Sequence, residues 1–378
     1  MIRIDEIYEN TFLPWVRKNI PDSAIFYCDP FGRSDPDSIL CRGLPDGGEK
    51  NNIFFFDQEP VQLSIHLPTF DRFVLTSRIP DPKRLDKRFL VCSETNSDNV
   101  DYICKTFNLR PFYYFFHGWA ALDWYRGYDR TFLIQPINQR QIKKTFFSPN
   151  RIIGGERKHR VLMLYHLAEL NLLHNNISAP AICPIENQSI EEIARYFKDL
   201  YPDPESGIVK TISDMKLPML FPGEDTQRMS SCWLDQFDLA AESLIYHVSE
   251  TVYFGRRQHL TEKTFKPIAM GMPFVLSAPA HSLSYLRSYG FKTFDSVWSE
   301  KYDSEEDDYF RSRAIGGLLR NIDIMSATEK QNMFEKCIPI IEHNWNHFYN
   351  GGFEKILWKE LNTMLDNIKE AVGDLPSN

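Results

Sequence analysis

Two carboxylates follow a strongly apolar segment early in the chain, in the run FFFDQEP at residues 54–60. Asp57 and Glu59 are two positions apart, so an extended chain points both side chains to the same side. Either carboxylate could remove a proton from a hydroxyl or stabilise positive charge that develops on a reacting group. His117, in the later run FYYFFHG, is a third candidate for the base. A simple turn capped by Asp57 is the structural alternative.

A second group of polar residues surrounds the start of a predicted helix between residues 249 and 273. It contains six candidate ligand-binding residues: Glu250, Tyr253, Thr261, Glu262, Lys263 and Lys266. A helix start attracts anions through free N–H groups and the helix dipole, so this one could hold a diphosphate beside two lysines. Glu262 could accept hydrogen bonds from ribose or sugar hydroxyls. In the structural alternative, Thr261 is only a helix cap and the lysines are solvated.

A third cluster is basic and lies within residues 150–160, in the run NRIIGGERKHR. Asn150, Arg151 and Arg160 could bind the same diphosphate, since an arginine can grip a phosphate through two parallel hydrogen bonds. The sequence leaves Arg151 and Arg160 as equal candidates. A solvated linker is the alternative interpretation.

These residues are positioned by a predicted α/β fold. Short β-rich runs (AIFYC, NIFFF, RFVLT, FLVCS and FYYFF) occur between Ser23 and Thr131. Because NIFFF and FYYFF are almost continuously apolar, we expect strands buried on both faces, as in a mostly parallel sheet. A helix over residues 97–107 begins at a cap provided by Ser97 or Asp98.

The second half of the chain repeats this alternation after a polar segment, residues 137–158, which we take as the linker between two domains. The pattern predicts strands at LAAESLIYHVSE and PFVLS and a helix over residues 262–270 that Gly271 ends. Four further helices are predicted over residues 160–173, 189–200, 305–321 and 353–372.

Composition narrows the classes of protein. A length of 378 residues favours two domains. A net charge of −8 argues against general coating of nucleic acid, and the seven scattered cysteines suggest neither disulfides nor a zinc site. No leader or membrane-spanning run is present, so we expect a cytoplasmic protein that does not bind membranes. The absence of G-x-G-x-x-G and P-loop motifs disfavours other nucleotide-dependent enzymes.

Several motifs together resemble a group of glycosyltransferase-like proteins from tailed phages and large viruses. The motifs that carry the resemblance are Asp57–Pro60, His117–Trp119, Asn150–Arg160, Glu262–Pro267, Gly271–Val275, Leu286–Phe294, and the set Tyr302, Asp303 and Arg311. They span most of the chain, although NRIIGGERKHR departs from the tighter arginine-rich version typical of the group.

The resemblance implies a GT-B architecture, with two facing Rossmann-like domains, a cleft between them and a C-terminal helix that crosses back. Residues 1–145 would bind the acceptor, with 353–378 packing back onto them, and residues 146–352 would bind the sugar donor. The donor substrate would be a UDP-sugar or another nucleoside diphosphate sugar, with no permanently bound cofactor. No D-x-D motif occurs where a metal-dependent enzyme would have one, so we expect no metal site, and Asp307 and Asp308 would lie on a solvated helix surface.

The leading hypothesis for the acceptor is 5-hydroxymethylcytosine in duplex phage DNA, since phage enzymes of this kind modify their own DNA. Basic side chains available for a DNA groove are Arg126, Arg130, Arg140, Lys143 and Lys144. Aromatic side chains available to stack on a flipped base are Trp119, Trp124 and Tyr125. A polysaccharide or protein acceptor is one alternative, and a non-catalytic module that binds sugar or nucleotide is another.

Overall fold

The computed structural model describes residues 7–20, 23–28, 39–41, 51–76, 88–127, 139–150, 153, 157–179, 189–200, 207–222 and 234–373. The chain divides into two compact units. Unit 1 consists of Met1–Asp123, Arg256–His259 and Phe353–Asn378, and unit 2 of Trp124–Gly255 and Leu260–Gly352. Each unit has its own largely parallel sheet with helices. The prediction of an α/β protein with two Rossmann-like units is confirmed.

Unit 1 is built on a five-stranded sheet in the order β2-β1-β3-β4-β5. Its strands are β1 (Ser23–Cys28), β2 (Ile39–Cys41), β3 (Asn51–Phe56), β4 (Arg88–Cys92) and β5 (Arg110–Tyr113). Only β2, at the edge, runs antiparallel to its neighbour. All residues of β3 and β4 are buried, because parallel strands are covered on both faces. This explains why the sequence of β3 is almost continuously apolar.

The helices of unit 1 follow its strands. They are α1 (Leu13–Asn19), after a turn of π-helix at Ile7–Phe12, then α2 (Leu63–Thr76), α3 (Asp98–Phe107) and α4 (Phe116–Tyr125). The helix α3 begins as predicted, since the Ser97 side chain accepts a hydrogen bond from the Val100 backbone N–H. It ends at Asn108, whose φ of +50° turns the chain into the left-handed region.

Two predictions for unit 1 are wrong in detail. RFVLT, predicted as a strand, forms the last turn and a half of α2. Its apolar residues belong to a longer series that includes Leu67 and Phe70 at helical spacing, and Phe70 packs on Phe54 and Phe56 of β3. FYYFF is a strand only as far as Tyr113, because the chain turns and α4 begins at Phe116.

Unit 2 is built on a four-stranded parallel sheet in the order β7-β6-β8-β9. Its strands are β6 (Lys144–Pro149), β7 (Asn176–Ser178), β8 (Ser243–Ser249) and β9 (Phe274–Ser277). From β6 the chain first adds β7 on one side and then returns to place β8 on the other. The strand order therefore reverses between β6 and β8, and the carboxyl ends of two such strands form a usual ligand site in open α/β sheets.

In the described part of unit 2, eight helices precede the last helix of the chain. They are α5 (His159–Glu169), α6 (Ile190–Leu200), α7 (Ile208–Asp214), α8 (Phe237–Ala241), α9 (Glu262–Ala269), α10 (Ser282–Ser288), α11 (Asp308–Asp323) and α12 (Ala327–Tyr349), with a 3-10 turn at Lys301–Ser304. The last helix is α13 (Gly352–Gly373), and Phe353 marks the return of the chain to unit 1. The stop of α9 is confirmed, since Gly271 has a φ of +64° that favours glycine.

Other segments of unit 2 depart from the prediction. The expected linker contains the central strand β6, whose apolar residues Phe146 and Phe147 lie between polar neighbours. The run LAAESLIYHVSE is a strand only from Ser243, because α8 precedes it. The helix α12, which starts at the capping box of Ser326 and Glu329, was not predicted. No helix in the described part of the chain has the length and apolarity needed to span a membrane.

Candidate functional site

The carboxyl edge of the unit 2 sheet brings two helix starts to its two central strands. Asn150 directly follows β6, and Glu250 directly follows β8. The helix α5 begins at His159 and α9 at Glu262. Both helices therefore open where the strand order reverses, and the predicted ligand-binding residues of the second half that the structure describes lie on the segments at or next to this edge.

Glu250 stabilises this edge of the sheet through hydrogen bonds within the protein. Its fully buried carboxylate accepts hydrogen bonds from the backbone N–H of Thr261 at 3.0 Å and of Thr251 at 3.1 Å. The hydroxyls of Thr261 and Thr264 also donate to it, each at 2.5 Å. Four protein partners occupy the carboxylate oxygens. Glu250 thus holds the start of α9 in place through four hydrogen bonds from the protein itself.

The first residues of α9 include a partly exposed cation, Lys263. The Lys263 ammonium donates to Glu262 Oε1 at 2.8 Å and to Thr251 Oγ1 at 3.1 Å, and its side chain is 27% exposed. Thr261 caps the helix by accepting from the Lys263 N–H. Lys266, one turn further along the helix, is half-buried near Asp235. Burial raises the pKa of Asp235, and the charge of Lys266 opposes this increase. Positive charge therefore accompanies the helix dipole here.

Tyr253 is held within a buried network centred on Arg311. The guanidinium donates to the carbonyl oxygens of Tyr253 at 2.8 Å and Ala278 at 3.0 Å, and lies 4.4 Å from the Tyr253 ring centre. It also pairs with Asp308, whose backbone carbonyl accepts from the Tyr253 hydroxyl at 2.9 Å. The prediction of a solvated Asp308 is wrong, because this ion pair is largely buried. Asp307 is exposed, as predicted, and caps α11.

The two residues that open α5 face the backbone at the end of β8. Arg160 donates to the carbonyl oxygens of Ser249 at 3.0 Å and Glu250 at 3.2 Å. Burial lowers the pKa of Arg160 to about 9. His159 Nε2 lies 3.1 Å from the Glu250 carbonyl, and its ring stacks on that of Tyr253. Burial lowers the pKa of His159 well below its usual range, so the ring is neutral. Arg151 lies outside the described residues.

The carboxyl edge of the unit 1 sheet carries a second polar cluster. Asp57 follows β3, Ser93 follows β4 and Tyr114 follows β5. The Ser93 hydroxyl donates to the Asp57 carbonyl at 2.6 Å, and the Tyr114 hydroxyl donates to Asp57 Oδ2. The other carboxylate oxygen, Oδ1, is buried without a hydrogen-bond partner. Burial raises the pKa of Asp57 to about 7, against the opposing effect of Tyr114.

Two histidines adjoin this cluster. His117 is the second residue of α4 and lies edge-to-face with His259, with ring centres 5.0 Å apart. His259 Nδ1 is 3.3 Å from the Ser93 carbonyl, so His259 joins the edge that also carries Asp57. Glu59, the third candidate base, is half-buried two residues further on. Ser93, Tyr114 and His259 were not predicted from the sequence; the first two follow strand ends and could have been found by that rule.

His259 reaches unit 1 at the end of a four-residue segment, Arg256–His259, that is fixed by ion pairs and backbone bonds. Arg257 pairs with the buried Glu94 at 3.2 Å and donates to the Val61 carbonyl at 2.9 Å. The backbone of Gln258 exchanges two hydrogen bonds with Thr95, at 3.1 Å and 2.8 Å. Burial raises the pKa of Glu94, and Arg257 opposes this. Glu94 is thus a structural carboxylate of this segment.

Several residues proposed for a DNA groove are internal. Arg140 is buried and donates to the carbonyls of Met270 and Gly271, both at 3.2 Å, where it caps the end of α9. Trp119 is buried against Trp358, and Tyr125 is fully buried. The assignment of these three residues to a DNA surface is therefore wrong. Lys143 and Lys144 make exposed contacts, and Arg130 lies outside the described residues.

Replacing Tyr114 with Phe should destabilise the protein more at high pH than at low pH. Burial raises the pKa of Asp57 in the folded chain to about 7, above the usual value for aspartate, so the protonated form favours folding and that contribution is lost as pH rises through about 7. Without the Tyr114 hydroxyl the pKa rises further, and the ionised form loses its partner. We expect a loss of about 1–3 kcal/mol at pH 8 and less at pH 5.

Urea unfolding at both pH values measures this difference. Tyr102→Phe is the matched control, since Tyr102 is an exposed tyrosine on α3. Equal destabilisation of Tyr114→Phe at pH 5 and pH 8 would contradict the assigned hydrogen bond.

Among the described residues, no group of three or more His, Cys, Asp or Glu side chains is arranged to hold a metal ion.

No protein-family model and no curated protein sequence matches the chain. Among solved structures the chain is similar to the trehalose-6-phosphate protein from E. coli bound with UDP-2-fluoro glucose, at 14% identity and a TM-score of 0.35, over 82% of this chain and 68% of that one. The chain is also similar to a structure of trehalose-6-phosphate synthase OtsA, at 14% identity and a TM-score of 0.35. That match covers 83% of this chain and 68% of the other.

Proposed function

We propose that the chain is a glycosyltransferase of GT-B type that takes a sugar from a nucleoside diphosphate sugar bound by unit 2. The observation that carries the proposal is the pair of helix starts at the strand-order reversal between β6 and β8. Such a point combines free backbone N–H groups with the positive ends of two helix dipoles. A diphosphate is the group that this arrangement suits, and Lys263 supplies a full charge beside it.

Each polar residue of unit 2 has a role in this proposal. Lys263 and Lys266 stabilise the diphosphate as it leaves, and Glu262 accepts hydrogen bonds from hydroxyls of the nucleotide sugar. Arg151 is favoured over Arg160 as the arginine that grips the diphosphate, because the Arg160 guanidinium is already bound to two backbone carbonyls. Glu250, Thr261 and Tyr253 hold the site in shape.

Asp57 is the proposed base in unit 1. Its Oδ1 takes the proton of the acceptor hydroxyl, while Tyr114 holds Oδ2. The acceptor oxygen then forms a bond to the anomeric carbon, and the bond from that carbon to the diphosphate breaks with its electron pair on the nucleotide. A pKa of about 7 suits a base near neutral pH. No step needs a metal, so we expect transfer to continue in the presence of EDTA.

For the acceptor we propose a hydroxyl of 5-hydroxymethylcytosine in duplex DNA, with a polysaccharide or protein hydroxyl as the alternative. The burial of Arg140, Trp119 and Tyr125 removes part of the surface first assigned to DNA. Binding of the DNA acceptor would therefore depend on Arg126, Lys143 and Lys144, together with Arg130.

The test is mass spectrometry after incubation of the protein with a panel of nucleotide sugars and duplex DNA containing cytosine or 5-hydroxymethylcytosine. A hexose or pentose mass gain only on the hydroxymethylated DNA supports both the transferase and its acceptor. Hydrolysis of a nucleotide sugar without modified DNA supports a transferase with another acceptor. Binding without any turnover supports the non-catalytic module, and no binding overturns the proposal.

Replacing Glu262 with Gln should weaken binding of the nucleotide-sugar donor by about 10- to 100-fold, the range for hydrogen bonds to a charged group. The variant keeps the shape of the side chain but loses its charge and one acceptor oxygen. Titration calorimetry measures the affinity, and Glu335→Gln, an exposed change on α12, is the control. Equal affinities in the two variants would exclude contact between Glu262 and the donor.

A further inference from the structure

Polar side chains line one face of the unit 2 sheet and continue to its carboxyl edge. His247 is hydrogen-bonded to Ser148 Oγ through Nδ1 at 2.8 Å and to Ser277 Oγ through Nε2 at 2.7 Å. These three residues form an inner row that crosses three strands. Buried polar atoms are normally satisfied in this way. The inner row therefore requires no ligand.

The next row toward the edge is different. Phe147 pairs with Tyr246 across β6 and β8, and the same register places Asn150 opposite Ser249. Each lies two residues beyond a member of the inner row, so both point to the same face. Asn150 Oδ1 and Ser249 Oγ are buried without a hydrogen-bond partner, and the two residues are 4% and 6% exposed.

A third buried polar atom without a hydrogen-bond partner belongs to the first residue of α5. His159 is 2% exposed, and its Nδ1 is buried without a partner. Its other nitrogen, Nε2, lies 3.1 Å from the Glu250 carbonyl, one residue after Ser249. A carbonyl cannot donate, so Nε2 carries the hydrogen, and in the neutral ring Nδ1 is then an acceptor. Three buried polar groups without partners thus lie at one edge of the unit 2 sheet, two at the ends of β6 and β8 and one at the start of α5.

The chemistry of these groups selects the ligand. His159 Nδ1 needs a hydrogen-bond donor, whereas an ionised phosphate oxygen can only accept. A hydroxyl can donate to His159 and also accept from or donate to the Ser249 hydroxyl, and the Asn150 amide can serve either role. We infer that Asn150, His159 and Ser249 form a cradle for a hydroxyl-bearing part of the nucleotide-sugar donor, beside the diphosphate at the two helix starts. The inference rests on the proposed function and deepens it.

The test compares binding of four probes to wild type and Ser249→Ala by titration calorimetry. The probes are the tightest-binding ribonucleoside diphosphate among ADP, CDP, GDP and UDP, its 2′-deoxy analogue, the corresponding sugar nucleotide, and pyrophosphate. We expect Ser249→Ala to bind a hydroxyl-bearing probe about three- to tenfold more weakly, the range for one neutral hydrogen bond, with unchanged affinity for pyrophosphate.

The pattern across probes identifies the hydroxyl. A loss with the ribonucleoside diphosphate that is absent with its deoxy analogue assigns the cradle to ribose. A loss only with the sugar nucleotide assigns it to the transferred sugar. In the ligand-free protein, Ser249→Ala should leave the thermal midpoint unchanged or raise it, because it removes a buried hydroxyl that has no partner.

Two further variants make the result decisive. His159→Phe keeps a ring against Tyr253 but removes Nδ1, and should weaken the same probes. Ser243→Ala changes a buried serine at the amino end of β8, the opposite end of the strand from Ser249, and should bind like wild type. Wild-type affinity in both Ser249→Ala and His159→Phe would overturn the cradle while leaving the proposed function intact. If wild type binds none of the probes, both proposals are overturned.

Discussion

Asp57→Asn should lower the rate constant for sugar transfer by about 10²- to 10⁴-fold, the usual contribution of a general base, with little change in donor affinity. Asparagine has nearly the same shape and still accepts from Tyr114, but it cannot take up a proton. In wild type the rate should rise with pH through about 7, as Asp57 becomes ionised. This dependence should disappear in the variant. Single-turnover kinetics at saturating donor measure the effect.

The two other candidate bases provide the controls. Glu59→Gln removes the neighbouring carboxylate, and His117→Gln removes the histidine in the first turn of α4. If Asp57→Asn transfers sugar within threefold of wild type while either control loses activity, the base is the residue changed in that control. Donor binding in all three variants shows that unit 2 is intact.

The sequence predicted most elements whose signal is local. Ser97 caps α3 because a serine hydroxyl satisfies a free backbone N–H, and Gly271 ends α9 because it reaches a positive φ without strain. RFVLT was wrongly predicted as a strand because its β-forming residues are only the last part of a longer run with apolar residues at helical spacing. β6 was missed because its two phenylalanines are surrounded by lysines and polar residues.

The candidate sites were predicted at the level of segments and much less at the level of atoms. Asp57 was found because it follows a conspicuous apolar strand, but Tyr114, which holds its carboxylate, is 57 residues away in sequence. Glu250 was expected to contact a ligand, yet four protein groups surround it. Such partners depend on the register of neighbouring strands and on where loops return, which a single sequence does not specify.

Arg311→Met should destabilise the protein by about 3–5 kcal/mol, the usual loss when one partner of a buried ion pair is removed. Arg311 is 1% exposed, and its loss leaves the Asp308 carboxylate and the carbonyls of Tyr253 and Ala278 without their donor. Met keeps an unbranched apolar side chain but supplies no donor. The free energy of unfolding in urea at pH 7 measures the change.

Arg313→Met is the matched control, because Arg313 is exposed on the same helix, and it should change the unfolding free energy by less than about 0.5 kcal/mol. Arg311→Lys should recover only part of the loss, since an ammonium can pair with Asp308 but lacks the planar fork that reaches three segments. If Arg311→Met and Arg313→Met are equally stable, the network contributes nothing to folding. If Arg311→Lys folds like wild type but binds the nucleotide-sugar donor more weakly, the network's main effect is to position Tyr253 and the loop after β8.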